Sequence, residues 1–537
     1  LPEDWDQFTP FMEAALELIP SLENTGIQHF MNGPESFTAD TRPLVGQAPG
    51  MDGLFVAAGM NSVGIMSSAG VGRVLADWIT DGAPPMNLWE VDIARCDPAA
   101  ATDSHMAARM EEAVSDLFAL HWPFNQPKAG RGLRMSPLHD RWGAEGAVFG
   151  LTAGWERGLW YADSEAERNL PYAIGAQPWW PIAQREAARM ETGSVLLDLS
   201  PFGKFHIEGP EALAFMEQLA CSRMDVAEGK VTYTQLLNAS GGIEADVTVT
   251  RLANDRFRLT SGAATRWRDG ALLRRASRGF DVTITDVTEK FTTIGIWGPN
   301  ARETLKKVVA DPAGLDIENF PFAAIKPIEI AGVKVTAFRI SYVGEQGWEL
   351  HMRYEDGLAV WDALRSTGVM AFGVETYANS RRMEKSLRLQ NADLLTQYNL
   401  IEADLARPKV KEADFRGKEK HLEYKAREHQ PAMLCTLVMT DNVDASGTAR
   451  FPVGNLPVMD PETGETLVDE LGRISYTTSL VYGPTIGKNI ALAYLPHDYA
   501  EVGRKLSLEY FSESYPVEVA GVGYAPLYDP QNLKPRS

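Results

Sequence analysis

The segment Tyr233-Thr-Gln-Leu-Leu-Asn-Ala-Ser-Gly-Gly-Ile-Glu-Ala-Asp246 decides how the middle of this chain folds. Apolar residues flank a glycine pair in it, and glycine adopts the positive φ that a strand reversal needs. We therefore predict a β-hairpin whose second strand carries the Asp246 carboxylate. A second segment, Ser341-Tyr342-Val-Gly-Glu-Gln-Gly-Trp-Glu349, predicts another hairpin, which ends at Glu349.

The same order of elements precedes each hairpin. An apolar run leads to a Gly-Pro pair, Gly209-Pro210 or Gly298-Pro299, and then to a helical pattern. Proline suits the first helical position because its missing N–H has no partner there. The recurrence predicts a duplication, with two α+β units packed face to face and both acidic hairpins meeting at the junction between them. We expect the binding pocket at that junction.

The length of 537 residues exceeds what one hydrophobic core usually serves. We predict an α+β multidomain protein, with domains at residues 1–100, 101–185, 186–430 and 431–537. The net charge of -21 argues against nucleic acid or an anionic membrane surface as the main partner. Three distant cysteines and nine scattered histidines indicate no disulfide framework and no structural metal. No apolar run has the length of a membrane span.

The segment from Gly53 to Ile79 predicts a short buried strand, a tight turn and a helix that begins at Ile65. Either Asn61 or Ser62 is expected to cap this helix. Unpaired N–H groups and the helix dipole favour negative charge at such a start. A cofactor carbonyl or anionic ring would fit there, and plain strand-to-helix packing is the alternative. The candidate cofactor-binding residues are Gly59, Asn61, Ser62 and Gly64.

Two segments carry a family resemblance. Asn32-Gly-Pro-Glu-Ser-Phe-Thr-Ala-Asp-Thr-Arg-Pro-Leu44 and Phe55-Val-Ala-Ala-Gly-Met-Asn-Ser-Val-Gly-Ile65 resemble the last part of the FAD domain of dimethylglycine and sarcosine dehydrogenases. The resemblance implies FAD as a cofactor. It also implies a missing flavin-binding half, in cis or as another subunit. A Gly154-Trp-Glu-Arg157 segment follows the flavin domain in that family, and its aromatics are expected to be buried packing anchors rather than a cofactor wall.

Further segments resemble the folate-binding aminomethyltransferase domain of the glycine cleavage system, as fused to those dehydrogenases. They are Leu199-Ser-Pro-Phe-Gly-Lys-Phe205 and both hairpin segments, in the family's order. Ser380-Arg-Arg-Met-Glu-Lys385 matches the family's Leu-Arg-Leu-Glu helix in part, while residues 386–391 depart from the usual Gly-Tyr-x-x-Trp-Gly. Beyond Pro431, alternating segments predict a small β-barrel or sandwich that covers one edge of the pocket.

The two hairpin carboxylates are the residues expected to carry the chemistry. A reduced pterin presents an amino group and a ring N–H side by side, which a carboxylate accepts together, and Glu349 is the candidate acceptor. Asp246 is the candidate catalytic group, which holds or removes a proton at the attacking nitrogen. Tyr233 and Tyr342, at the family's spacings, either line the pterin or pack a strand edge.

Arginines supply the candidate anion contacts. Arg382 matches the family's arginine and would pair with the glutamate tail of folate. A further arginine run is predicted to form a solvated helix face, with tail binding as the minor alternative; its members are Arg266, Arg268, Arg274, Arg275 and Arg278.

The resemblance implies FAD-dependent oxidative demethylation of an N-methylated glycine, dimethylglycine or sarcosine. Tetrahydrofolate would receive the one-carbon unit as 5,10-methylenetetrahydrofolate, and electron-transfer flavoprotein or oxygen would take the electrons. The expected location is the cytoplasm, or the mitochondrial matrix in a eukaryote. A stand-alone aminomethyltransferase with a vestigial flavin piece and a non-catalytic folate-binding subunit are the alternatives. The flavin-domain segments favour the dehydrogenase.

Overall fold

The computed structural model describes residues 1–406 and 410–537 of the chain. Its N-terminal part pairs two short strands into one sheet and two longer ones into a hairpin. The elements are α1 (Trp5–Leu18), β1 (Leu44–Gln47), β2 (Phe55–Ala58), α2 (Gly64–Asp81), α3 (Asp103–Phe118), α4 (His139–Ala144), β3 (Ala147–Thr152), β4 (Trp155–Tyr161), α5 (Glu165–Arg168) and α6 (Trp180–Thr192). Among the described helices, none is long and apolar enough to cross a membrane.

Two details of this part differ from the sequence predictions. Strand β2 is half-buried to exposed rather than buried. Helix α2 begins at Gly64, its N-cap is Val63, and no side chain caps it. The Asn61 side chain is used elsewhere, because its Oδ1 accepts the backbone N–H of Thr38 at 2.9 Å.

The middle of the chain forms two sheets with helices packed against them. The elements up to the end of the first sheet are β5 (Val195–Asp198), β6 (Gly203–Glu208), α7 (Ala212–Leu219), β7 (Val231–Leu237), β8 (Ile243–Ala253), β9 (Arg256–Ser261), α8 (Arg266–Ala276) and β10 (Thr283–Asp286). They continue with β11 (Phe291–Trp297), α9 (Ala301–Lys306), β12 (Ile325–Ile330), β13 (Val333–Phe338), β14 (Gly347–Arg353), α10 (Gly357–Arg365) and β15 (Met370–Ala371). A π-helical turn (Glu375–Arg381), α11 (Arg382–Glu384) and α12 (Lys418–Lys425) follow.

The strand orders show the duplication. Sheet one has the order β10-β6-β9-β8-β7, and sheet two has the order β12-β13-β14-β11-β5-β15. In each unit the first strand pairs with the fourth, the fourth with the third and the third with the second. Each unit therefore repeats one antiparallel topology with a helix between its first two strands.

The duplication corrects one expectation about the two hairpins. Asp246 lies on the third strand of its unit, β8, whereas Glu349 lies on the fourth strand of its unit, β14. The two acids are therefore not related by the repeat. Residues 339–346 form the connection between β13 and β14, so Tyr342 lies in a loop rather than on a strand.

The Gly-Pro pairs also act differently from the prediction. Helices α7 and α9 begin at Ala212 and Ala301, two residues after each proline. The glycines carry the geometry that the two units share: Gly209 has φ +147° and Gly298 has φ +131°. A Cβ on either would lie 2.3 Å from a backbone carbonyl oxygen. These positions need glycine because the chain turns tightly against neighbouring backbone.

The C-terminal part is all β, as predicted. Its sheet has the order β17-β20-β21-β16-β19-β18. The strands are β16 (Ala432–Met439), β17 (Val458–Met459), β18 (Thr477–Gly483), β19 (Lys488–Pro496), β20 (Lys505–Tyr510) and β21 (Glu513–Val522).

Candidate functional site

The two sheets place their polar faces toward each other. Successive strand residues point to opposite faces, so the neighbours of a core residue face away from the core. On β8, Ala245 and Val247 belong to the core of sheet one, so Asp246 faces away from it. On β14, Trp348 and Leu350 belong to the core of sheet two, so Glu349 also faces away from its own core.

Contacts between the two sheets confirm that these faces meet. The Arg258 guanidinium of β9 lies 4.3 Å from the ring centre of Phe291 on β11. The same guanidinium donates to His206 Nε2 on β6 at 3.1 Å. Burial and the neighbouring arginines lower the pKa of His206 to about 4, so its ring is neutral at pH 7 and accepts this bond.

Asp246 is buried and hydrogen-bonded on this face. Gln235, its partner across the β7–β8 pair, donates its amide N–H to Asp246 Oδ1 at 2.7 Å. Burial raises the pKa of Asp246 to about 6, and hydrogen bonds from Gln235 and Tyr233 and the charge of Arg388 oppose the rise. At pH 7 the carboxylate is mostly ionised and still close enough to its pKa to accept a proton. That balance suits a general base.

Burial also brings the pKa of Glu349 near neutrality. Its side chain is 15% exposed. Burial raises the pKa of Glu349 to about 7, opposed by the charge of Lys204. His351 Nε2 lies 3.5 Å from the Glu349 carboxylate, and burial lowers the pKa of His351 far below its usual range, so its ring is neutral. Glu349 therefore faces the junction with no cation bonded directly to it among the described residues.

Lys204 is a buried cation that sequence reasoning missed. It lies on β6 with no exposed surface, and its ammonium donates to the carbonyls of Ser200 at 3.1 Å and Phe202 at 3.0 Å. Burial lowers the pKa of Lys204 to about 7, opposed by Asp198 and Glu349. The available signal was a lysine between Gly203 and Phe205, at the start of β6 and inside the Leu199–Phe205 motif.

Tyrosines surround the space that the two acids face. Tyr233 is 52% exposed as a residue, and its hydroxyl interacts with Asp246. Whether it lines the pterin remains a prediction. The rings of Tyr342 and Tyr377 lie 5.5 Å apart. The charge of Asp246 acts on the Tyr342 hydroxyl, and that of Glu349 acts on the Tyr377 hydroxyl. The charges of the two acids therefore act on two neighbouring tyrosines, Tyr342 and Tyr377.

Tyr377 was not predicted from the sequence. It lies on the π-helical turn Glu375–Arg381, and such turns occur frequently at functional sites. The turn is held from below by Glu186, whose carboxylate accepts the Thr376 hydroxyl at 2.6 Å and the Gly373 N–H at 3.0 Å.

Arg382 is buried and has internal partners. Its guanidinium donates to Asp393 at 2.8 Å, to Ser479 Oγ at 2.8 Å and to the Leu387 carbonyl at 3.1 Å. These bonds account for its position without a ligand. Its contact with the folate tail therefore remains a prediction.

The arginine run on α8 is not a solvated face. Arg266 and Arg268 are buried, at 4% and 9% exposure, because Arg266 pairs with Asp286 at 2.8 Å and Arg268 donates to Asn391 at 3.3 Å. The prediction was wrong for these two residues. The exposed members of the run are Arg274 and Arg278.

The residues predicted to bind a cofactor form a tight turn at the start of α2. Gly59 has φ +61°, and a Cβ there would lie 2.5 Å from Thr38 Cγ2. Asn61 is 2% exposed and bonds to the same threonine. The roles the structure gives these two residues are therefore packing roles.

The outer side of this turn is open. Ser62 is exposed, and the first turn of α2 presents Ile65 at 97% and Met66 at 82% exposure. A Cβ on Gly64 would lie 3.3 Å from Met60, so this glycine packs closely. An open apolar helix start fits one wall of a larger cofactor site, and direct cofactor contacts remain a prediction.

Four family models match consecutive parts of the chain. FAD dependent oxidoreductase matches residues 1–78, and FAD dependent oxidoreductase central domain matches residues 81–136. GCVT N-terminal domain matches residues 138–409, about half of the chain. Glycine cleavage T-protein C-terminal barrel domain matches residues 453–529. The matches follow the predicted order of modules.

Curated relatives and a solved structure agree with these matches. A 4-methylaminobutanoate oxidase (formaldehyde-forming) of Paenarthrobacter nicotinovorans is 31% identical over 99% of this chain and 63% of the relative. The mitochondrial dimethylglycine dehydrogenase of Rattus norvegicus is 31% identical over 96% of this chain and 59% of the relative. The glycine cleavage system aminomethyltransferase T from Bartonella henselae has a TM-score of 0.61 at 22% identity, covering 74% of this chain and 98% of that structure.

These matches cover nearly all of this chain but only part of each curated relative. The chain spans about 60% of the length of the curated relatives it matches. The likeness to the aminomethyltransferase shows the shared fold. The chain belongs to the family that joins an FAD dependent oxidoreductase module to a GCVT N-terminal domain, the family of the dimethylglycine and sarcosine dehydrogenases.

Proposed function

We propose that this chain is the folate-binding part of an FAD-dependent N-methyl amino acid dehydrogenase. The substrate is an N-methylated glycine, dimethylglycine or sarcosine, and tetrahydrofolate receives the one-carbon unit as 5,10-methylenetetrahydrofolate. One observation carries the proposal: Asp246 and Glu349 approach one tyrosine-lined space from two sheets, and their pKa values lie near 6 and 7.

Each acid has a distinct part in the proposed reaction. FAD, when bound, accepts the hydride that leaves the N-methyl group. Glu349 accepts the amino and ring N–H groups of the pterin and so fixes its orientation. Asp246 removes the proton from the folate nitrogen as that nitrogen bonds to the iminium carbon of the oxidised N-methyl group, and the demethylated amine leaves with a proton when the second folate nitrogen closes the methylene bridge. Lys204 balances the charge of Glu349 from the opposite sheet.

The competing outcome is release of the carbon as formaldehyde. The name of one relative states this product. An oxidised N-methyl group reacts with water unless a folate nitrogen is positioned to capture it. We therefore expect capture to depend on Asp246, while oxidation of the amine does not depend on it.

The test uses the protein joined to its flavin-binding half. Flavin reduction is followed by stopped flow, and the yields of formaldehyde and 5,10-methylenetetrahydrofolate are measured beside it. Asp246→Ala is expected to leave flavin reduction nearly unchanged and to slow capture about a hundredfold or more, which diverts the carbon to formaldehyde. Glu208→Ala, which removes a half-exposed acid of β6, is the matched control and should behave as the parent. Abolished flavin reduction in Asp246→Ala would assign this residue to amine oxidation and reject the two-site proposal.

The remaining parts of the proposal concern partners and location. Electron-transfer flavoprotein or oxygen is the proposed electron acceptor, and cytoplasm or mitochondrial matrix is the proposed location. The names of several relatives include the word mitochondrial. A non-catalytic subunit is the second candidate, because a pyruvate dehydrogenase phosphatase regulatory subunit of Mus musculus is 28% identical over 93% of this chain and 57% of the relative. Absence of flavin reduction by any N-methyl amine would favour that candidate.

A further inference from the structure

Buried polar atoms without partners cluster in the segment that follows α11. Arg388 is 5% exposed, and its Nη1 donates to the Ser386 carbonyl at 3.1 Å. Its Nε and Nη2 have no hydrogen-bond partner among residues 1–406 and 410–537. A buried donor without a partner is costly, and in native proteins it calls for an explanation such as a ligand.

Arg388 borders the tyrosine-lined space. Its charge acts on Asp246, Tyr233 and Tyr342. The Tyr342 hydroxyl donates to the Arg388 carbonyl at 2.7 Å, which fixes the backbone beside the site. On its other side, the guanidinium carbon lies 5.6 Å from the ring centre of Tyr524, which follows the last barrel strand. Arg388 therefore lies where the two-sheet part of the chain meets the C-terminal β part.

The next polar side chains in the segment also have unused bonding capacity. Gln390 donates its amide to the Glu244 carbonyl at 3.1 Å, two residues before Asp246. Its Oε1 and the Asn391 Nδ2 are buried without partners in the described part of the chain. The segment thus offers free donors and one free acceptor along the edge of the site.

The free atoms of Arg388 have a particular arrangement. Nε and Nη2 form one edge of the planar guanidinium, and their two N–H bonds run side by side. A carboxylate presents two oxygens at the matching spacing and binds such an edge with two parallel hydrogen bonds. A single carbonyl oxygen would have to be shared between the two donors, whereas a carboxylate gives each donor its own oxygen.

We propose that Arg388 binds a carboxylate of the glutamate tail of folate, and that Gln390 Oε1 accepts the N–H of the benzoylglutamate amide. The inference rests on the proposed function, since it extends the same site outward from the pterin. Arg388, rather than Arg382, is then the tail-binding arginine. Both proposed tail contacts, Arg388 and Gln390, lie in residues 386–391, the segment that departs from the family's usual motif.

The test is titration calorimetry of the 537-residue chain with three ligands. They are tetrahydrofolate, tetrahydropteroate, which lacks the glutamate, and 6-methyltetrahydropterin, which lacks the benzoylglutamate. In the parent, tetrahydropteroate should bind about tenfold or more weakly than tetrahydrofolate, the usual scale for loss of a charge-assisted bidentate contact. Equal affinities of the parent for these two ligands would overturn the proposal, however any variant behaves.

The variants locate the contact. Arg388→Met should weaken tetrahydrofolate about tenfold or more and leave 6-methyltetrahydropterin unchanged. Arg388→Lys should recover part of the loss, because it keeps the charge and loses the planar fork. Arg353→Met removes an exposed arginine of β14 and should match the parent. An equal loss for both ligands in Arg388→Met would indicate a structural role and overturn the proposal. A parent that binds none of the three ligands would reject the proposed function itself.

Discussion

Replacing Asp246 by asparagine should stabilise the folded chain at neutral pH. The substituted amide keeps the shape of the aspartate and can accept the same bond from Gln235, which donates to Asp246 Oδ1 at 2.7 Å. It lacks the carboxylate charge that burial disfavours. The pKa of Asp246 is raised from 3.8 to about 6, a rise of roughly 2 units, and each unit corresponds to about 1.4 kcal/mol.

The direction of the pH dependence follows from this rise. Below about pH 4 the carboxyl is protonated in both the folded and the unfolded state, and its contribution to stability is fully present. Between about pH 4 and 6 the unfolded chain loses the proton first, so the stability of the parent falls. Above about pH 7 the parent should have lost about 3 kcal/mol that Asp246→Asn retains.

The assay is urea unfolding of parent and variant at half-unit steps from pH 4 to pH 8. The difference in unfolding free energy between them removes the contributions of the other titrating acids. Glu208→Gln, at a half-exposed position in the same sheet, should show a difference from the parent that does not change with pH. If the difference in unfolding free energy between Asp246→Asn and the parent stayed constant across this range, burial would not raise the pKa of Asp246 and the reasoning would be refuted.

Three further predictions concern the binding site and its supports. Glu349→Gln should weaken tetrahydrofolate by about 1–3 kcal/mol, since it removes a charged acceptor from the pterin; calorimetry with unchanged affinity would show that Glu349 does not contact it. Gly242→Ala would place a Cβ 1.9 Å from the Thr396 carbonyl oxygen, so its melting temperature should fall, and an unchanged value would contradict this close approach. Arg382→Leu would leave the buried Asp393 without its positively charged partner and should cost about 3–5 kcal/mol of stability in urea. A stable Arg382→Leu variant that loses only folate affinity would restore the tail-binding role of this arginine.

Much of the architecture was predictable from local patterns. The glycine pair at Gly241 predicts the β7–β8 hairpin, and the repeated Gly-Pro pairs predict two units with one topology. The expected symmetry between the two acids was wrong because the two acidic segments occupy different places in the repeat. The first spans the connection between β7 and β8, the second and third strands of its unit, whereas the second spans the connection between β13 and β14, the third and fourth strands. Long-range pairing was also hidden from the sequence, since β5 precedes the first unit and pairs with β11 in the second.

The electrostatic residues of the site were less predictable. In the sequence, Lys204 looks like an ordinary strand lysine. Its burial between the two sheets becomes visible only in the fold. Tyr377 and Arg388 come from a turn and a loop that reach the site from a distant part of the chain. Their contribution depends on long-range packing, which no local pattern in the sequence carries. The arginine run was misjudged likewise, because burial of Arg266 depends on Asp286, across the unit.

The central claim is that one pterin site lies between sheets one and two, with both hairpin acids in contact with the ligand. The most direct measurement is a crystal structure of this chain with tetrahydrofolate bound. We expect the pterin ring between β8 and β14, with Glu349 accepting its amino and ring N–H groups at about 2.6–3.2 Å. Asp246 should lie within the same range of the reacting nitrogen, directly or through one water. A pterin bound elsewhere, or held by only one of the two sheets, would contradict it.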